Sequence, residues 1–260
     1  MSSFNELIPL NQIEVNPSDL LSIKRHDLVP LLTDSSKLNL YAEHIVQAQN
    51  ALLVGIDPTL NKKLSETISD IIQKLNQSKK KLKQKKFNAF QKWLGLDLEF
   101  GAGQISYIRD LDRLILDADQ LSQRIHIEIQ KSSSRFQQAV GLREQMARYI
   151  QAARQFLTEY TDFSHHRHPL DNFEERLAKK IQTLESVQAN NDISLMQMQL
   201  TQQLSLTLTD RFREAQQVLI PAWQYHLEQT QIKNGAIDIE KLDQSREQLI
   251  RSLKKSLIKE

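Results

Sequence analysis

Cysteine is absent from the 260 residues, and glycine and proline occur only six times each. Without cysteine the chain can form no disulfide, no thiolate nucleophile and no cysteine-based zinc or iron–sulfur site. The scarcity of glycine and proline also leaves few tight reversals, which sandwiches, barrels and doubly wound sheets need in number. The composition therefore predicts a small number of long helices.

Long hydrophobic runs and a strong net charge are also missing. The longest apolar run, Ala51 to Ile56, is far shorter than the roughly 18 residues that a membrane span requires. The N-terminus has no basic region followed by an apolar one, so we expect no secretory signal. Because 34 basic residues face 32 acidic ones, the formal charge of +2 disfavours nucleic acid as a partner of the whole chain. We expect a cytoplasmic protein.

Catalytic and cofactor motifs are absent as well. Gly101-Ala102-Gly103 lacks the spacing and the lysine of a phosphate-binding loop, and there is no nucleophile elbow or metalloprotease helix. His165, His166 and His168 have no acid or cysteine at metal-like spacing beside them, so we interpret them as ordinary residues of a polar turn. We expect no enzyme, no metal, no cofactor and no small-molecule substrate.

The strongest pattern that is present is a heptad seam after Gly103. Sixteen positions follow an unbroken alternation of three and four residues: Ile108, Leu111, Ile115, Ala118, Ser122, Ile125, Ile129, Ser132, Phe136, Ala139, Arg143, Met146, Ile150, Ala153, Leu157 and Tyr160. This spacing is typical of a helix that packs along another helix. The segment Ser164–Pro169 interrupts it, and a second helical stretch follows from Phe173 to Asn234. The two stretches predict an antiparallel helical hairpin.

The second stretch of this hairpin departs from a regular apolar seam. Polar residues stand at expected seam positions, namely Gln188, Asn191, Gln202, Ser205 and Thr209. Either the register shifts there or the helix carries a buried polar layer. Such a layer could form a site or could fix the register of the helices, and we favour register. Pro221, inside the same stretch, should kink the helix or mark a short break.

These patterns give an all-α fold class, with an elongated bundle built on a long antiparallel, coiled-coil-like hairpin and shorter N-terminal helices. We predict an irregular N-terminal arm over residues 1–37 and short helices over 38–103, interrupted at Gly55-Ile56-Asp57-Pro58. The hairpin is predicted over 104–235 and a C-terminal amphipathic helix over 236–260. A hairpin of this kind favours a protein partner or self-association.

A basic and aromatic segment ends the second of these regions. It contains six lysines followed by three spaced aromatic residues: Lys79, Lys80, Lys81, Lys83, Lys85, Lys86, Phe87, Phe90 and Trp93. Lysines beside aromatic rings can bind anionic lipid headgroups, which would place the protein peripherally at the inner membrane. They can also contact the phosphates and bases of a nucleic acid. The third interpretation is a solvated loop whose aromatic residues cover the end of the bundle.

The last long helix resembles the toxic anion resistance (TelA/KlaA-like, tellurite resistance-associated) family. The matching positions are Leu184-Glu185, Met198, Gln202, Leu208, Phe212 and Ile220-Pro221-Ala222-Trp223. The last group matches the family's Ile-Pro-x-Trp element, and Tyr149–Ala153 is similar to its Tyr-Ile-x-Ala-Gly stretch. The resemblance covers roughly residues 60 to 230, and Pro221 and Trp223 are its most specific positions.

This resemblance implies a cytoplasmic bacterial helical protein that is associated with tellurite stress, and it supplies no catalytic residues. Because the chain has no thiol, we expect no direct capture or reduction of tellurite. The leading hypothesis is a non-enzymatic scaffold or adaptor in stress or envelope resistance, which acts through protein or membrane contacts. The alternatives are a coiled-coil scaffold that binds anionic lipid through Lys79–Trp93, and a helical protein that binds nucleic acid.

Overall fold

A computed structural model describes residues 7–81, 96–163, 172–233 and 236–257. Within these ranges every regular element is helical, which confirms the predicted all-α class. The α-helices, numbered in chain order, are α1 Pro17–Ile23, α2 Glu43–Leu52, α3 Pro58–Lys81, α4 Leu96–Phe163, α5 Phe173–Glu214, α6 Ile220–Lys233 and α7 Ala236–Leu257. Among the described residues, 3-10 turns occupy Leu10–Gln12, Val29–Leu32 and Ser35–Leu40, and π-helical turns occupy Lys24–Leu28 and Ala215–Leu219.

Helices α1 and α3 each begin at a proline that follows a capping side chain. The Asn16 side chain accepts a hydrogen bond from the Ser18 N–H at 3.0 Å, and the Asp57 side chain accepts one from the Thr59 N–H at 2.9 Å. Proline fits the first helical position because its missing N–H would have no partner there. This hydrogen bond from the Thr59 N–H, together with one that the Thr59 hydroxyl donates at 2.8 Å, holds the pKa of Asp57 below its usual value. The interruption predicted between Gly55 and Pro58 is thus confirmed as the break between α2 and α3.

The chain divides into two compact units. The first contains Met1–Gly55 and Lys131–Gln202, and the second contains Ile56–Gln130 and Gln203–Glu260. The division therefore falls inside α4 and inside α5, two helices that the sequence boundaries placed together in one segment, 104–235. Helix α4 also begins at Leu96, earlier than that boundary.

In the first unit, α4 and α5 pair in antiparallel orientation. Ser132 contacts Gln202, Arg143 contacts Asp192, and Arg154 contacts Glu185, so the residue number rises on α4 while it falls on α5. Helices α1 and α2 and the turns between them pack on this pair. The apolar core consists of Leu20, Ile23, Leu28, Leu31, Leu38, Tyr41, Ala42, Ile45, Met146, Ile150, Ala152, Ala153, Phe156, Phe173, Leu177, Ile181 and Leu184.

In the second unit, residues of α3, α4, α5, α6 and α7 share one apolar core. Its largest fully buried side chains include Trp223, Phe212, Leu64, Ile68, Ile71, Leu75, Leu111 and Ile125. Helix α3 runs antiparallel to the first part of α4, because Ser78 pairs with Tyr107 and Lys74 pairs with Asp110. Lys74 lies 2.8 Å from Asp110, and the Tyr107 hydroxyl donates a hydrogen bond to the Lys74 carbonyl at 2.6 Å. The Lys74 ammonium also holds the pKa of Asp110 below its usual value.

The predicted seam of α4 is confirmed, because each of its sixteen positions is buried or half-buried. The interruption predicted at Pro221 is also present, as the π-helical turn between α5 and α6. There the Ile220 N–H donates to the Ala215 carbonyl, five residues back. A proline clashes with the carbonyl four residues before it, which here is that of Gln217. Widening the preceding turn gives this carbonyl room without ending the helical path.

Candidate functional site

The first unit contains a buried network of hydrogen-bonded polar side chains, formed by Gln49, Arg143, Gln188, Asn191 and Asp192. Helices α2, α4 and α5 supply these five side chains. Arg143 occupies a seam position of α4, where its side chain is only 5% exposed. It donates two hydrogen bonds to the Asp192 carboxylate, from Nε to Oδ1 at 2.8 Å and from Nη2 to Oδ2 at 2.9 Å. This two-point geometry gives the strongest kind of ion pair and fixes the orientation of both side chains.

Gln188 extends the network by one turn along α5. Its Nε2 donates a hydrogen bond to Asp192 Oδ1 at 2.7 Å, so that this oxygen accepts from two donors. Gln188 Oε1 is buried and has no hydrogen-bond partner among the described residues. An unpartnered buried acceptor destabilises the fold by roughly 1–3 kcal/mol unless a water molecule reaches it.

Asn191 and Gln49 connect α5 to α2 and α4. Asn191 Nδ2 donates to Gln49 Oε1 at 2.9 Å, and Gln49 Nε2 donates to the Ala139 carbonyl at 3.3 Å. Gln49 is fully buried. Because amide groups prefer a definite partner in a core, these bonds hold the three helices at one axial position relative to one another.

Two cavities lie beside the network in the first unit. One of about 420 Å³ is lined by Leu10, Asn11, Ala147, Ile150, Gln151, Arg154, Glu185, Gln188, Ala189 and Asp192. The other, of about 960 Å³, lies between the N-terminal arm and α4 and includes Arg143, Glu144 and Arg148 in its lining. The Arg154–Glu185 ion pair, at 2.6 Å, crosses the wall of the smaller cavity. The walls of both cavities therefore contain charged side chains that take part in ion pairs. Arg143 and Asp192 bind each other and are not directed at a ligand.

Tyr41 and Tyr149 contact each other in the first unit, where α1 and α2 pack on α4. The Tyr41 hydroxyl donates a hydrogen bond to the Tyr149 carbonyl at 2.7 Å, and the two rings are 5.4 Å apart. Burial raises the pKa of Tyr41 well above its usual value, and the nearby phenol of Tyr149 and the Asp27 carboxylate add to this effect. Burial also raises the pKa of Tyr149, whose hydroxyl faces Asp27 at 3.5 Å. Both phenols therefore stay protonated and act as hydrogen-bond donors.

The chain is similar in sequence to a protein of Escherichia coli. A stretch of 200 residues is 28% identical to Protein KlaA of Escherichia coli, covering 75% of this chain and 77% of that protein. The chain resembles Protein KlaA. This similarity confirms the resemblance to the toxic anion resistance family that the sequence indicated. No family model matches the chain, and no solved structure matches it.

Pro221 and Trp223, the two residues that the sequence resemblance singled out, lie in the second unit and have different surroundings. Trp223 is 2% exposed and is among the largest fully buried side chains of that unit's core. Pro221 is exposed at the start of α6, directly after the π-helical turn. The Pro-Trp element that resembles the KlaA-like family thus interrupts the helix and then places a large aromatic side chain in the core.

The polar layer predicted on α5 is present as buried side chains, without any break in the helix. Gln188, Asn191, Ser205 and Thr209 are buried and Gln202 is half-buried. In the first unit Gln202 donates to Ser132 at 2.8 Å, and in the second unit Asn61 donates to Ser205 at 2.7 Å. Sequence reasoning had not identified Gln49 or Asp192. The one signal for Asp192 was Arg143, a charged residue at a seam position that needed a buried partner.

The structure does not describe the side chains of two groups of residues that the sequence analysis singled out, the Lys79–Trp93 segment and the three histidines. Lys79, Lys80 and Lys81 are in the last turn of α3, but their side chains are not described, and residues 82–95 lie outside the described ranges. His165, His166 and His168 are outside them as well. Among residues that are described, no cluster of three histidine or acidic side chains could hold a metal ion. None of the described helices is long and apolar enough to cross a bilayer.

Proposed function

We propose that this protein is a non-enzymatic helical scaffold or adaptor of the toxic anion resistance type. It contributes to bacterial tellurite or envelope resistance through contacts with proteins or membranes, and it acts in the cytoplasm. The observation that carries the proposal is the similarity to Protein KlaA, which extends over about three quarters of each chain. Because each unit makes up about half of the chain, a similarity of this extent includes parts of both units and is not confined to one local motif.

The buried polar network supports a mechanical role. Arg143, Asp192, Asn191 and Gln49 are engaged with one another across three helices. An acid or base in catalysis must reach a proton of its substrate, whereas both oxygens of the Asp192 carboxylate accept hydrogen bonds from Arg143, and one accepts from Gln188 as well. The network therefore suits a rigid framework whose function depends on surfaces.

The amino-acid composition supports a role through protein or membrane contacts rather than through capture or reduction of tellurite. Thiolates are the side chains that capture or reduce soft oxyanions most readily, and this sequence contains no cysteine. We infer that protection by this chain, which has no thiol, acts through other cell components. The antiparallel helices offer long exposed faces for that purpose.

Membrane attachment is the second candidate, and the Lys79–Trp93 sequence favours it. Lysines followed by spaced aromatic residues can combine electrostatic attraction to anionic lipid with insertion of rings at the interface. Vesicles that contain anionic lipid should bind the wild-type chain and should not bind a variant with glutamine at all six clustered lysines. Equal co-sedimentation of the two proteins would exclude this mode. Binding to DNA or RNA with a steep salt dependence would favour the nucleic-acid alternative instead.

A growth assay tests the proposed function. We expect expression of the wild-type chain in a tellurite-sensitive bacterial host to raise the tellurite concentration that stops growth. The empty vector gives the baseline, and the six-glutamine variant, matched for expression, tests the membrane alternative. No difference between wild type and vector would contradict a role in tellurite resistance.

A further inference from the structure

The cavity of about 420 Å³ beside the polar network lies between α4, α5 and the 3-10 turn Leu10–Gln12, and all of its lining residues belong to the first unit. We call it the α4–α5 cavity. Two alanines, Ala147 on α4 and Ala189 on α5, are among its lining residues. Because neither side chain extends beyond its Cβ, the space between the helices stays open. Its volume falls within the range of roughly 300–1,000 Å³ that is typical of sites for small organic molecules.

The α5 wall of this cavity carries buried oxygens that lack a donor. Gln188 is 1% exposed, and its Oε1 has no hydrogen-bond partner among the described residues. The orientation of this amide is fixed, because Asp192 Oδ1 can only accept and therefore faces the Gln188 Nε2 group, at 2.7 Å. Glu185 Oε1, one turn away on the same face of α5, is also buried. It lies 2.6 Å from Arg154 Nη2, but the contact is not aligned as a hydrogen bond.

The α4 wall is mainly apolar. Ala147 and Ile150 are buried residues of α4 that line the cavity, and the half-buried Leu10 joins them from the 3-10 turn. An apolar wall favours a hydrocarbon group and disfavours a fully hydrated inorganic ion. An anion would also face the two acceptor oxygens of α5, which repel negative charge. The cavity therefore suits a molecule with an apolar chain at one end and hydrogen-bond donors at the other.

We propose that the α4–α5 cavity binds a small aliphatic amine in its protonated form. The ammonium group donates hydrogen bonds to Gln188 Oε1 and Glu185 Oε1, and the aliphatic chain packs on Leu10 and Ile150. Terminal amide and carboxylate groups rotate about a soft torsion, so a small rotation turns both oxygens towards the ligand. A charged donor is preferred over a neutral one because charge-assisted hydrogen bonds are stronger. The site adds a ligand to the proposed scaffold and does not depend on that function.

Calorimetric titration of the purified full chain with n-butylammonium chloride tests the proposal, with sodium chloride as the baseline. We expect saturable binding of one n-butylammonium ion per chain. Tetramethylammonium has the charge but no N–H donor, and 1-butanol has the chain but no charge. Each should bind at least about tenfold more weakly. The proposal would be overturned if n-butylammonium showed no saturable binding, or if either analogue bound as tightly.

A pair of alanine substitutions tests the location. Ala189→Leu fills part of the cavity from an exposed position of α5, so the helix should still fold. Ala48→Leu is the matched control, because it adds the same side chain at an exposed position of α2 outside the cavity lining. We expect Ala189→Leu to weaken n-butylammonium binding by about tenfold or more and Ala48→Leu to leave it unchanged. Equal affinity in the two variants would place the amine elsewhere and overturn the assignment.

Substitution of the acceptors tests the chemistry of the site. Gln188→Leu removes the unpaired oxygen and keeps a side chain of similar size, and we expect about tenfold weaker binding of n-butylammonium. Glu185→Gln makes a smaller change at a half-buried position and should also weaken binding. Glu144→Gln, the same change at an exposed position outside this cavity, is the control and should bind like wild type.

Circular dichroism checks that all of these variants keep the wild-type helix content. Should Gln188→Leu fail to fold, Glu185→Gln against Glu144→Gln still decides the question. Wild-type affinity in Glu185→Gln, or an equal loss in Glu144→Gln, would contradict the assignment of the α5 oxygens. Because every measurement uses the purified chain, the outcome is independent of any effect on tellurite resistance in cells.

Discussion

Arg143 and Asp192 are joined by two hydrogen bonds in the first unit, at 2.8 and 2.9 Å, although they are 49 residues apart in sequence. The arginine comes from α4 and the aspartate from α5. This relationship fixes the antiparallel alignment of the two helices at one position. A slip of either helix by one turn would leave a buried guanidinium without its carboxylate.

Asp192→Ala should destabilise the protein strongly. The substitution leaves the Arg143 side chain, 5% exposed, without its counter-charge, and we expect the free energy of unfolding to fall by about 3 kcal/mol. Urea unfolding followed by circular dichroism measures the change. Glu66→Ala, which removes the exposed 3.8 Å pair with Lys62, is the control and should cost no more than about 0.5 kcal/mol. Similar losses for the two variants would show that the buried pair has no special role.

Gln49 and Asn191 should be energetically coupled. Asn191→Ala removes the donor to Gln49 Oε1, and burial of that unpaired oxygen should cost about 1–3 kcal/mol. In a double-mutant cycle, Gln49→Ala combined with Asn191→Ala should destabilise less than the sum of the single substitutions, by about 1 kcal/mol. Strict additivity would mean that the amide contact does not hold α2 against α5.

Trp223 should report on the core of the second unit. Because Trp93 is the other tryptophan in the chain, a Trp93→Phe variant isolates the fluorescence of Trp223. The emission should be blue-shifted and poorly quenched by acrylamide, since the side chain is 2% exposed. Trp223→Ala should lower the free energy of unfolding by about 3–5 kcal/mol. Emission typical of a tryptophan in water would contradict the described packing.

Alkaline pH should destabilise both units through buried tyrosines. Burial raises the pKa of Tyr107 to about 12, and burial also raises that of Tyr41 above the usual value of 10.0. Above about pH 10 the unfolded chain loses phenolic protons that the folded chain keeps, so the free energy of unfolding falls as pH rises. Below that pH the two phenols are protonated in the folded and in the unfolded chain, so they contribute no pH dependence to the free energy of unfolding.

Tyr41→Phe and Tyr107→Phe provide the test of this linkage. Each variant should lose about 1 kcal/mol near neutral pH through its missing hydrogen bond, and each should show a shallower fall in stability above pH 10. Urea unfolding at several alkaline pH values, together with tyrosinate absorbance, measures both effects. A wild-type stability that does not change through this range would contradict burial of the two hydroxyls.

Much of the fold was predictable because helical periodicity is a local property. The alternation of three and four residues from Ile108 to Tyr160 identified the buried side of α4 correctly, including Arg143 at a polar seam position. Pro221 marked the interruption between α5 and α6 because its ring geometry acts on the preceding turn. Predictions of this kind depend only on residues within one or two turns.

The polar network was not predictable to the same degree. Its members come from three helices, and their meeting depends on the axial alignment of α5 against α4, which no local pattern encodes. The pattern therefore marked Gln188 and Asn191 as candidates for a polar layer but could not pair Asn191 with Gln49, 142 residues away. The division of α4 and α5 between two units was missed for the same reason, since periodicity continues through both.

The proposed function requires that the protein acts through contacts and not by chemistry on the toxic anion. The most direct measurement is the concentration of dissolved tellurite over time in the presence of the purified full chain, with and without a nicotinamide reductant, against a protein-free control. We predict the same tellurite concentration in the protein samples and in their matched controls. Removal of one or more tellurite ions per chain, or turnover with the reductant, would contradict the claim.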